Sequence, residues 1–205
     1  FKVLSAAAQK NATPTRNVLL CDINNFPTDR YVARSVADLF HLQYKECAVS
    51  EMITHFNENV AVATASMIDF RSAEIHDVAS VTAAAHDAGA LVVWDLAHAA
   101  GVIPCDVERH RIDFAVGCGY KYMNGGPGAP AFMYVAPQLV NEVQQPIPGW
   151  FGHDAPFAFE DTYRPAQGIA RFSSGTTHIL SMKALHGALE VFENFPISSI
   201  RDGSI

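Results

Sequence analysis

Two charged side chains stand alone in apolar sequence. Lys121 lies within GCGYKYMNGGPGAPAF (Gly117–Phe132), and between Asp113 and Glu142 no other residue carries a formal charge. Asp95 ends the run ALVVWD and is the sole formally charged residue between Asp87 and Asp106. Burial disfavours an ammonium group, and the same penalty makes a lysine a nucleophile able to form a Schiff base with a carbonyl compound. Adjacent Tyr120 could give or take a proton. The glycines and prolines of Gly125–Pro130 let a backbone approach a flat ligand closely. A lysine that snorkels to solvent from a surface loop would fit the same residues. A phosphate-cradling loop does not, because the lysine precedes GGPG instead of following the glycines. A carboxylate at the end of an apolar strand needs a donor or a cation. Asp95 can cap the turn that follows, or act as counter-ion to a buried cation. His98, three residues on, can stack or hydrogen-bond beside it, though a lone histidine is more often structural.

A Schiff-base lysine together with an aspartate for a protonated ring nitrogen is the pairing that pyridoxal phosphate requires. The aspartate keeps the ring protonated, so that the ring can absorb the electrons of a substrate carbanion. At an effective dielectric near 20, such a pair about 4 Å apart gains roughly 4 kcal/mol before desolvation, enough to set a protonation state.

The elements that must position these groups read as strands alternating with helices. Val18–Ile23, Val60–Ile68, Ala90–Leu96, Phe114–Gly117 and Ala131–Val135 are short apolar runs that predict buried strands. FPTD (Phe26–Asp29) breaks the first, and Thr28 or Asp29 can cap a helix carrying Val32, Val36, Leu39 and Phe40 on one face. Ile75, Val78, Ala79, Thr82 and Ala85 repeat at helical spacing up to Gly89. Met182, Leu185, Leu189 and Phe192 mark a long final helix, and the closing IRDGSI reads as a helix losing its pattern. The alternation predicts an α/β fold with a mainly parallel sheet. In such sheets ligands gather at the carboxyl ends of strands. FPTD, the D-x-x-H of Asp95 and His98, and the Tyr120–Lys121 pair all fall there.

Composition narrows the function class. Of 205 residues about half are apolar, the net charge is −7, and the 14 basic residues are scattered. That is the profile of a soluble globular chain with a core, without a nucleic-acid footprint or a membrane-spanning run. The four cysteines form no C-x-x-C pair and read as reduced, buried and cytoplasmic. The nine histidines show no metal-binding spacing, so no metal is expected. The chain opens on Phe1, which implies sequence upstream.

WDLAH (Trp94–His98), GCGYKYMNGGPGAPAF, FPTD and GWFGHDAPFAF (Gly149–Phe159), in this order-specific combination, resemble the kynureninase family. The likeness runs over nearly the whole chain. It implies the large domain of the aspartate aminotransferase-like fold of pyridoxal-phosphate enzymes, with helices on both faces of the sheet, occupying residues 1–205. It implies hydrolysis of kynurenine or 3-hydroxykynurenine to anthranilate or 3-hydroxyanthranilate and alanine, in tryptophan breakdown and NAD synthesis, by a cytoplasmic homodimer with a shared active site. By the same resemblance Lys121 would hold the cofactor, Asp95 would pair with its ring nitrogen, and His98 would sit beside the ring. Phe26 and Asp29 would flank it, with the aromatic covering one face. Ser66 would lie by the cofactor, and Tyr120 by its phosphate or as a proton relay. Trp150 and Thr176 would reach the phosphate from the second subunit. The resemblance also implies that a phosphate-binding serine/threonine segment lies upstream, and that a small domain with a carboxylate-gripping arginine lies downstream. The chain alone is therefore expected to bind cofactor poorly. The family usually has asparagine and glycine where this chain has Asp69 and Ala73, which predicts an altered turn. Two rival readings remain on the same residues. One is a cysteine desulfurase or class V aminotransferase, in which a histidine precedes the lysine where this chain has Tyr120. The other is a non-catalytic dimerising module. His153, Phe157 and Phe159 are left between packing and an aromatic subsite.

Overall fold

A computed structural model of the chain describes residues 1–204. Helix α1 (Lys2–Asn11) leads into β1 (Val18–Asp22), α2 (Pro27–Leu39), β2 (Gln43–Cys47), α3 (Val49–His55) and β3 (Val60–Ser66). Then come α4 (Val78–Asp87), β4 (Leu91–Asp95), β5 (Phe114–Cys118), β6 (Ala131–Val135) and α5 (Pro137–Val140). Three 3-10 turns (Trp150–Gly152, Pro156–Ala158, Gly168–Phe172) precede α6 (Ile179–Leu189), α7 (Val191–Asn194) and α8 (Ile197–Asp202). The strands form one sheet in the order β2-β1-β3-β4-β5-β6, parallel except for β6, which runs antiparallel to β5.

Both faces of the sheet are covered, which is why β1 and β3 read as unbroken apolar runs. Alternate residues of β1 point to opposite faces. Val18 and Leu20 pack with Met52 of α3, Val81 of α4 and Trp94. Leu19 and Cys21 pack with Val3 and Leu4 of α1, Val36 of α2 and Phe114. The α/β architecture with helices on both faces is the one expected.

Several elements differ from the sequence reading. Strand β2 (QYKEC) has no apolar run to announce it. It is an edge strand with charge along it, where Glu46 accepts from the Tyr44 hydroxyl at 2.6 Å and from Arg30 Nε at 3.0 Å. Helix α1 was also unforeseen, and it buries Val3 to Ala8. Helix α2 starts one turn position earlier than a Thr28 or Asp29 cap would give. Phe26 occupies the capping position and Pro27 opens the helix, leaving Asp29 in the first turn. Ile75 does not join α4 but bridges to Ile68, and Asp77 caps that helix by accepting from Ser80 N at 3.0 Å. The long final helix is three shorter ones, and no residue of α6 is buried. Arg201 and Asp202 of IRDGSI end α8, while Ile205 lies outside the described residues. Among the described residues no helix is long and apolar enough to cross a membrane.

Candidate active site

Five parallel strands deliver their carboxyl ends to one edge of the sheet. Ser66 ends β3 opposite Asp95, which ends β4, and Asp95 in turn pairs with Val116 of β5. The loop after β5 carries Lys121. It is folded back by Gly119 N donating to Pro130 O and Gly125 N donating to Gly119 O, at 3.0 and 2.9 Å. Gly125 has no room for a side chain, since a Cβ there would stand 2.7 Å from the Ala129 methyl and 2.8 Å from the Gly119 carbonyl. Leu185 of α6 packs over the same glycines.

Of its two sequence readings, Asp95 shows the turn cap. Oδ1 caps the turn by accepting from Ala97 N at 2.7 Å, while Oδ2 faces the site, 3.4 Å from the Ser66 hydroxyl. Asp29, from the first turn of α2, meets Asp95 carboxyl to carboxyl. Burial first, and then the charge of Asp95 and a hydrogen bond to it, push the Asp29 pKa up to about 7. A protonated Asp29 can donate to Asp95, and a cationic ring N–H could take that place. Lys121 Nζ donates to His98 Nε2 at 3.1 Å. Accepting requires a neutral ring. Burial chiefly, then Lys121, holds His98 below the ordinary imidazole range, against the opposing pull of Asp95. Lys121 Nζ also lies 5.8 Å from the Phe26 ring centre and 5.7 Å from that of Tyr120. Tyr120 is half exposed.

Two residues that the sequence did not mark hold this arrangement. Asn25 accepts from Phe26 N at 2.8 Å and from the Ser66 hydroxyl at 2.6 Å. Phe70 meets the Phe26 ring edge-on at 5.0 Å, and the Arg71 guanidinium covers Phe70 at 4.3 Å. Asn25 could have been found by its place directly before FPTD. Phe70 left no signal, because its partner lies across the sheet edge. The donor set suits a planar, aldehyde-bearing, protonated aromatic ring. Lys121 offers an amine for the carbonyl, the Asp29–Asp95 pair a place for the ring proton, and Phe26 and His98 two aromatic faces.

Neither Trp150 nor Thr176 shares a hydrogen bond or ring contact with Lys121, Asp95, Asp29 or His98 among the described residues. Trp150 stacks on Phe151 at 4.0 Å and meets Phe157 edge-on at 5.5 Å. With His153, Phe159 and Tyr163 it lines an open cleft of about 410 Å³. His153 is a packing residue: Nδ1 accepts from Ala155 N at 2.9 Å, and Nε2 donates to Thr162 O at 3.1 Å. Thr176 is exposed in the loop before α6.

The chain is similar to known proteins over its whole length. It is 42% identical over 210 residues to a kynureninase of Pseudomonas fluorescens and 42% identical over 206 residues to one of Deinococcus radiodurans. Each alignment takes in 100% of this chain and 50% of the relative, so the chain spans about half the length of those proteins. Among solved structures, a cysteine desulfurase, CsdA, of Escherichia coli superposes with a TM-score of 0.80 at 17% identity, over 97% of this chain and 50% of that one. The cystine C–S lyase C-DES, in complex with cysteine persulfide, superposes at 0.79 and 17% identity, over 94% and 54%. At that identity the likeness concerns the fold. The family profile of class-V aminotransferases matches residues 27–204, and the chain belongs to the aminotransferase class-V family.

Proposed function

We propose that the full-length protein is a pyridoxal-phosphate-dependent hydrolase. It cleaves the Cβ–Cγ bond of L-kynurenine or 3-hydroxykynurenine, releasing anthranilate or its 3-hydroxy form and L-alanine, in tryptophan breakdown. The observation that carries this reading is the meeting of Lys121, His98, Asp95 and Asp29 at the ends of parallel strands. The kynureninase relatives, at 42% identity over the whole chain, support the choice of substrate. A C-DES structure of the same fold has glycine covalently linked to its PLP cofactor, which supports the choice of cofactor.

When bound, pyridoxal phosphate supplies an aldehyde for covalent capture of amines and a ring that accepts the electrons of a substrate carbanion. Lys121 would be the attachment point for the aldehyde, and its free Nζ would take the α-proton. His98 receives the Lys121 hydrogen bond and aims the amine. Asp95 and Asp29 keep the proton on the ring nitrogen. Phe26 covers one ring face, and Ser66 stands at the base of the site. Tyr120 donates the proton that the β-carbon needs when the bond to the hydrated γ-carbonyl breaks. Trp150 and Thr176 serve the phosphate in the partner's site, so that the protein works as a homodimer with shared sites. The small-molecule reaction needs no nucleic acid or membrane, and four free thiols suit the cytoplasm.

The test is a visible spectrum of the full-length protein with and without kynurenine. A coloured protein that changes colour on adding kynurenine and releases anthranilate or alanine is expected. Borohydride should then fix the cofactor on Lys121, and Lys121→Ala should lose the label and at least about a hundredfold of turnover. A protein left colourless by added pyridoxal phosphate would end the reading. Turnover of cysteine in place of kynurenine would move it to the desulfurases.

A further inference from the structure

Asn25 sits in the loop between β1 and α2 and is 1% exposed. Its Oδ1 accepts two hydrogen bonds, from Phe26 N at 2.8 Å and from the Ser66 hydroxyl at 2.6 Å. The backbone N–H can only donate, so Oδ1 must face it, and the amide orientation follows. Ser66 is therefore the donor in its own contact. A serine has one hydroxyl proton. Committed to Asn25, it is withheld from Asp95 Oδ2, 3.4 Å away on the other side. The Asn25 Nδ2 is buried with no partner among the described residues. An unpaired buried amide costs stability, and an apolar side chain of the same size would avoid that cost. The Asn25 Oδ1, by contrast, satisfies two donors at once. The three groups that it organises all belong to the cluster around Lys121: the backbone entering Phe26 and Asp29, the end of β3, and, through Ser66, the free oxygen of Asp95.

We propose, on the cofactor reading above, that Asn25 is the positioning residue of this site. It ties the loop bearing Phe26 to the end of β3 and holds the Ser66 hydroxyl away from Asp95, leaving Asp95 Oδ2 open to the ring nitrogen of pyridoxal phosphate.

The experiment is a double-mutant cycle on the full-length protein, read by titration with pyridoxal phosphate and by the position of its visible band. Asn25→Leu keeps the size but leaves Phe26 N without its acceptor, so the cofactor-free protein should melt somewhat below the wild-type temperature. Its dissociation constant for pyridoxal phosphate should rise roughly tenfold, and the visible band should move, which a loss of stability alone would not do. Ser66→Ala should weaken binding by a smaller factor. Adding Ser66→Ala to Asn25→Leu should cost nothing further and should recover part of the affinity, because the hydroxyl free to turn to Asp95 is then gone. Asn25→Ala takes the place of the leucine variant if the branched side chain does not fit. Unchanged affinity in both Asn25 variants, or losses that multiply in the double variant, would overturn the role of Asn25 alone. A wild-type protein that takes up no cofactor would overturn the cofactor reading and the role of Asn25 with it.

Discussion

At 3.1 Å, Lys121 Nζ and His98 Nε2 cannot both be donors without repulsion. Burial of His98 decides the matter in favour of a neutral ring. The lysine amine is thereby held toward His98. Tyr120, its neighbour in sequence, shows only its ring to Lys121, so a proton-relay role rests on its exposed hydroxyl reaching bound substrate. Tyr120→Phe should leave the cofactor spectrum near normal and slow turnover by about a hundredfold or more; a turnover number equal to wild type would remove the role. Asp29 gives a test that needs no substrate. Its folded pKa, about 7, lies above the unfolded carboxyl value, so the folded state binds the extra proton between about pH 4 and pH 7. The stabilising contribution is fully present below the unfolded pKa and is lost as pH rises through 7. In the cofactor-free full-length protein, wild type should lose on the order of 2 kcal/mol relative to Asp29→Asn between those limits, measured by urea unfolding at each pH. His98 acts with opposite sign, since its folded value is depressed and its contribution falls away as pH drops below the unfolded imidazole value.

The turn after β3 forms around Asp69 and Ala73. Asp69 Oδ1 accepts from Arg71 N, Ser72 N and the Ser72 hydroxyl at 2.8, 2.7 and 3.0 Å. Those bonds, that of Ser72 N first, hold the Asp69 pKa below the usual carboxylate range. The turn brings Ile75 back to Ile68 and presents Phe70 to Phe26. It also forces Ala73 into the left-handed region, at φ +61°. An L-residue pays for that conformation, whereas glycine adopts it freely. Ala73→Gly should therefore raise stability by about 0.5–1 kcal/mol without disturbing cofactor binding. A fall in the urea midpoint would show that the strain is relieved by some other contact.

Across the whole molecule, the loops at the carboxyl ends of the strands form the candidate site, while among the described residues the C-terminal helices form no second core. Ile179, Leu180 and Met182 of α6 are largely exposed, although the sequence shows an apolar helix there. The chain spans about half the length of its kynureninase relatives. On the proposed kynurenine hydrolysis, this 205-residue chain by itself should turn over substrate at least about a hundredfold more slowly than the full-length protein, since it spans about half the length of its relatives. Comparable rates for the two, assayed side by side, would show that this half carries the whole site.

Lys121 and Asp95 were legible in the sequence because desolvation makes a lone charge in an apolar run conspicuous, whatever the fold. The buried strands were legible for a related reason: a sheet covered on both faces leaves no polar alternation in β1 or β3. Strand β2 and the break in the last helix were not. An edge strand is held by ladder bonds and by the Arg30–Glu46–Tyr44 cluster, and helix ends depend on what packs beside them. Nor could spacing reveal that Asp29 meets Asp95 or that Asn25 governs Ser66. Those residues are 66 and 41 positions apart, and only parallel pairing of the strands brings them within reach of a single proton. The chemistry available was written in residue type and local polarity; which proton each group shares was decided by the sheet.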